Sequence, residues 1–235
     1  MTDSRGRLTP VRLNDGVAIL FMIGSTCFAL GSVPWYADAV GTSADGVTFF
    51  VGSIFFTTAS LGQLLQAQTP GMTGVDERGQ HQRTPVRWRA WLPHDRDWMA
   101  AVTQFPGTLF FNASTFAALA GYTTTNQVND QVWRPDFFGS TLFLVASFYA
   151  LLALRTPLLR QLRSLPGQIA WLNMVGSIAF MASALASYVL PGGDEISEAI
   201  SVGGTLLGAL CFLAGAALML PAWRHAVRAA GAATA

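Results

Sequence analysis

Gln104, Thr108, Asn112 and Thr115 are the polar residues whose types and spacing come closest to a site. Separations of four, four and three residues put them on one face of a helix. Amides and hydroxyls so arranged could line a cavity for a small polar ligand. The plainer and commoner use of such side chains in an apolar setting is to hydrogen-bond neighbouring helices together. Gln63, Gln66 and Asn173 lie near the ends of two other apolar stretches, where they would form a vestibule or simply meet water and headgroups.

Other chemistry is excluded residue by residue. All 14 basic residues are arginine, so Schiff-base and phosphate-loop lysines do not arise. His81, His94 and His225 fall outside the apolar stretches and lack paired metal-ligand spacing. Cys27 and Cys211 sit singly inside apolar stretches, where cysteine acts as a small hydrophobe. No acid, base, metal or nucleophile constellation can be assembled, so the expectation is no enzyme, no catalytic residue, no metal and no cofactor.

The elements that must position the polar stripe are membrane-spanning helices. Of the 235 residues, 51% are hydrophobic and only 11% charged. Soluble domains carry about 25% charged residues, so lipid is the expected solvent. A net charge of +1 gives no field to attract nucleic acid. Six segments are long and apolar enough to span: Val17 to Ala37, Val47 to Gln66, Met99 to Ala120, Phe137 to Leu154, Ile169 to Val189 and Ile200 to Leu220. Each must be helical, because an irregular backbone cannot face hydrocarbon.

The arginines orient them. Thirteen lie in the two tails, the long loop 67–97 and the segment after the fourth span, against one, Arg134, on the other side. By the positive-inside rule both termini and the long loop are cytoplasmic, as in a bacterial inner-membrane protein. Asp45 and Asp136 precede spans and read as helix caps. In the long loop Arg83, Arg87 and Arg89 alternate with Trp88 and Trp91, a pattern suited to anionic headgroups at the inner surface or to a docking partner.

A motif of Gly, Ser, two residues and Phe recurs at Gly24 to Phe28, Gly52 to Phe56, Gly139 to Phe143 and Gly176 to Phe180, in spans one, two, four and five. Spans three and six share Gly107-Thr108-Leu109-Phe110 and Gly204-Thr205-Leu206-Leu207. The order A, A, B, A, A, B predicts two triplets of opposite orientation, an inverted repeat of the kind found in transporters. The direct role of the motif is close helix packing. The expected organisation is a tail 1–16, a first repeat 17–121, an outer loop 122–135, a second repeat 136–221 and a tail 222–235.

Trp133-Arg134-Pro135-Asp136-Phe137-Phe138-Gly139-Ser140-Thr141-Leu142-Phe143-Leu144 resembles the YrhK-like bacterial membrane proteins, whose short helical domain carries Gly-Ser and Phe at this spacing. Gly107 to Thr115 is similar to longer multi-span members. The resemblance implies a multi-pass membrane protein of unestablished activity and supplies no catalytic residues. The sequence thus points to an all-α polytopic protein, a scaffold or subunit partnered by lipid and by a second copy or another membrane protein. The competing reading is a small transporter or channel for a polar solute.

Overall fold

The computed structural model describes residues 10–69 and 86–233, and Arg83 lies outside them. The described chain is helical: α1 (Pro10–Gly31), α2 (Pro34–Val40), α3 (Thr42–Gln68), α4 (Arg96–Ala118), α5 (Thr125–Val128), α6 (Arg134–Ala153), α7 (Leu158–Arg163), α8 (Leu165–Ala186) and α9 (Glu198–Ala233). Five helical segments are long and apolar enough to cross a membrane: Leu13–Gly31, Thr42–Gln68, Thr125–Ala153, Leu165–Ala186 and Glu198–Ala222. At about 1.5 Å per residue the 23 residues of α4 are also long enough, but Gln104 and Asn112 keep α4 outside that group.

Local chemistry moves several boundaries from their expected places. Pro34 ends the first expected span early, and α1 stops at Gly31. The expected outer loop 122–135 is largely helical: α5 runs through a π-turn, Asn129–Trp133, straight into α6. Asp136 is therefore inside a continuous helix and caps nothing. Asp45 lies in the first turn of α3, whose N-cap is Gly41. Asp95, by contrast, is a true cap, its carboxylate accepting from the backbone N–H of Asp97 and Trp98 at 2.9 and 3.0 Å. Ser164 does the same for α8 through Gly167.

The six long helices α1, α3, α4, α6, α8 and α9 form a closed ring in chain order, and α9 packs back on α1. Neighbours run antiparallel; along α1 and α3, for example, Gly31 meets Phe49 and Val17 meets Gly62. A half-turn about an axis perpendicular to the ring axis reverses the order in which helices are met around the ring. No such half-turn carries α1, α3 and α4 onto α6, α8 and α9 in chain order, so the expected inverted repeat does not describe this ring. Its unit is a two-helix hairpin used three times: α1 with α3, α4 with α6, α8 with α9.

All six ring helices carry one motif. Ser25, Ser53, Thr108, Ser140, Ser177 and Ala209 are buried, each preceded by glycine and followed three residues later by a buried phenylalanine. The register is thus Gly107 to Phe111 in α4 and Gly208 to Phe212 in α9. The copies expected at Gly107 to Phe110 and Gly204 to Leu207 are displaced by one and by about a turn.

Each hairpin places two of these phenylalanines edge to face: Phe28 with Phe56 at 5.5 Å, Phe111 with Phe143 at 5.0 Å and Phe180 with Phe212 at 5.2 Å between centroids. Across hairpins, Phe56, Phe143 and Phe212 close a triangle at 6.4, 6.1 and 5.7 Å. Phe180 joins Phe28 and Phe111 in a second layer at 6.0 and 5.8 Å. Two stacked layers of three rings fill the middle of the axis. The opposite helix faces carry exposed Ile54, Leu109, Ile178 and Leu210, as a lipid-facing surface requires.

Candidate functional site

The polar face of α4 does not converge on one place. Thr108 is fully buried and its hydroxyl donates to Phe105 O at 2.7 Å, within its own helix. Thr115 donates to Phe111 O at 2.8 Å and shares a hydrogen bond with Ser53 of α3 at 3.0 Å. Asn112 Oδ1 is buried with no partner among the described residues. Gln104, at the arginine-rich end, is the one that reaches a cavity, and its Nε2 donates to Gln63 Oε1 of α3 at 3.4 Å.

That cavity lies just beyond the aromatic triangle. Phe21, Phe56 and Phe212 line it on the apolar side, and Gln63, Gln104 and Asn173 supply three carboxamides from three helices. The register explains the grouping. Gln104 and Asn173 lie seven residues before Phe111 and Phe180, and Gln63 seven after Phe56, so two helical turns place all three on the axis-facing side. Gly215 makes room, since a Cβ there would stand 3.0 Å from Asn173 Oδ1. The volume is about 20 Å³, enough for roughly one water centre. Of the expected residues, Gln104, Gln63 and Asn173 come together here, whereas Thr108, Asn112 and Thr115 do not. Heptad spacing to one of the six buried motif phenylalanines is the sequence signal that separates the two groups.

At the same end, the described part of the long loop leaves Arg87, Trp88, Arg89 and Trp91 exposed, Trp88 by 72% and Trp91 by 81%. Gln68 Nε2 donates to Arg87 O at 2.6 Å and Arg87 N to Thr69 Oγ1 at 3.1 Å, tying the loop to the end of α3. Trp91 meets the buried Trp98 edge to face at 5.8 Å. Between the ends of α4 and α6 lies an open cleft of about 510 Å³, walled by Trp91, His94, Asp95, Arg96, Asp97 and Arg155.

The opposite end is stitched between hairpins. The Asn129 side chain donates to Val189 O at 2.8 Å and accepts from Val189 N at 3.0 Å, and Trp133 Nε1 donates to Ala184 O at 2.7 Å.

Set beside known proteins, the chain matches no family model, no curated protein and no solved structure. The apolar helices are consistent with an integral, multi-pass membrane protein.

Proposed function

We propose that this chain is a six-span, non-enzymatic protein of the bacterial cytoplasmic membrane that serves as a scaffold or as a subunit of a larger membrane assembly. One observation carries the reading: the ring axis is filled by two layers of phenylalanine, and the cavity beside them admits about one water. A transporter site is a midplane cavity between moving units, whereas packed aromatic rings fill the middle of this ring axis, which supports the scaffold reading.

A sixth span is supported by the way α4 is covered. Gln104 faces the cavity on the ring axis and Asn112 Oδ1 is buried, while Leu109, Phe110 and Phe116 are exposed. The arginine distribution supports cytoplasmic termini. The partner is a second copy or another membrane protein, and kinship with the YrhK-like proteins, carried by Trp133 to Leu144, belongs to the same proposal.

The second reading, a channel or transporter for a small polar solute, is favoured by the three carboxamides at Gln63, Gln104 and Asn173. Flux of urea, glycerol and formamide into proteoliposomes separates the two. The scaffold reading predicts rates equal to protein-free vesicles. Flux that saturates and disappears in Gln104→Leu would establish the channel instead.

A further inference from the structure

The cleft at the ends of α4 and α6 has a charge pattern that neither packing nor the scaffold reading uses. Two cations, Arg96 and Arg155, and two anions, Asp95 and Asp97, line it together with His94, so its formal charge is balanced. The charges are not spent on one another. Among the described residues the ion pair within 4.0 Å is Arg134 with Asp130, at the other end of the molecule. Asp95 is committed to capping α4, which also leaves that helix terminus unable to take an anion. Arg96 donates to Leu152 O, covering a last-turn carbonyl of α6. Arg155, just beyond α6, and Asp97, in the first turn of α4, therefore remain as opposite charges that share a cleft without touching. Partial desolvation and the neighbouring Asp95 raise the Asp97 carboxyl, and the Arg155 charge opposes them, so the two residues feel one another across the gap.

We propose that this cleft binds the zwitterionic headgroup of phosphatidylethanolamine, with the phosphate on Arg155 and the ethanolammonium on Asp97. The inference rests on the reading that α4 and α6 end at the inner membrane surface, where the exposed Trp91 ring on the cleft wall would lie at headgroup level. A purely anionic headgroup would satisfy Arg155 but meet Asp95 and Asp97 as like charges. A choline headgroup has the right charges but no N–H to donate to a carboxylate, whereas a primary ammonium has three.

The test is competition on the purified protein in detergent, read by native mass spectrometry with phosphatidylethanolamine, phosphatidylglycerol and phosphatidylcholine of identical chains. The expected order places phosphatidylethanolamine about tenfold ahead of phosphatidylcholine, the worth of one charge-assisted hydrogen bond, with phosphatidylglycerol behind it. Asp97→Asn is expected to bring phosphatidylethanolamine down to the phosphatidylcholine level, and Arg155→Gln to weaken both. Glutamine meets the same left-handed backbone, φ 46°, that arginine occupies there. Equal or stronger binding of phosphatidylglycerol, equal binding of phosphatidylcholine, or no binding of any of the three overturns the assignment. If a variant does not fold, the wild-type ranking alone decides. Because the ranking is measured in detergent, it stands or falls separately from membrane orientation.

Discussion

The seams inside the hairpins and the seams between them are built from the same small-residue positions but held by different physics. Inside a hairpin, backbone meets backbone at glycine. A Cβ on Gly24 would stand 2.9 Å from Gly52 O, one on Gly139 3.1 Å from Gly107 O, and one on Gly208 3.0 Å from Gly176 O. Between hairpins, hydroxyl meets hydroxyl: Ser53 with Thr115 at 3.0 Å and Ser147 with Ser177 at 2.8 Å. Among the described residues the third such seam, α9 with α1, lacks the bond. In the places equivalent to Ser177 and Ser147 stand Ser25, whose Oγ is buried with no partner among those residues, and Ala216. Close backbone approach is therefore a property of each hairpin, while hydroxyl pairs join two of the three seams between hairpins; the α8–α9 hairpin adds a hydroxyl pair of its own, Ser183 with Thr205 at 2.7 Å, and among the described residues the seam that closes the ring has none.

The largest effect is expected where both kinds of seam depend on the same side chain. Phe143 touches Phe56, Phe111 and Phe212, and Phe143→Ala should cost about 3–5 kcal/mol in unfolding measured in a fixed detergent. Next comes the glycine seam. In Gly208→Ala the new Cβ would lie 2.2 Å from Phe180 Cδ1, forcing that ring or the helix aside, at about 1–3 kcal/mol. If the seams were alike, the hydroxyl seam would cost as much. Instead Ser177→Ala should cost only about 0.6–1.7 kcal/mol, the range of interhelical hydrogen bonds in membranes. Ala216→Ser sharpens the contrast by giving Ser25 a partner, and should raise stability by about 0.6 kcal/mol. The smallest change is expected at Asn112. Its Oδ1 is buried with no partner among the described residues, so Asn112→Leu removes a desolvation cost without breaking a bond to that oxygen, and the unfolding midpoint should stay level or rise. A fall of several degrees would reveal a partner for this amide.

Much of this fold was legible because apolar length is a one-dimensional signal. Four of the six motif copies were readable for the same reason. The fifth was misaligned because Phe110 and Phe111 are adjacent, and only the inward direction of α4 decides which ring enters the core: Phe111 is buried and Phe110 exposed. The sixth was hidden because Ala209 replaces the hydroxyl residue and Gly204-Thr205 imitates the motif a turn earlier. That misalignment turned three equivalent hairpins into an apparent pair of triplets. The polar side chains of α4 were legible as a set, but Gln104 belongs with Gln63 and Asn173 at one level along the axis, and level comes from packing rather than from spacing within α4.

The account depends most on α4, the ring helix that is not apolar enough by itself, crossing the bilayer inside the ring. Single cysteines at His94 and Tyr122, in a chain with Cys27 and Cys211 replaced by alanine, can be labelled in intact cells with a membrane-impermeant maleimide. The account predicts that Tyr122→Cys is labelled from outside and that His94→Cys is labelled only after the cells are opened. Labelling of both from the same side would mean that α4 does not cross and that the closed six-helix ring does not sit in the membrane as described.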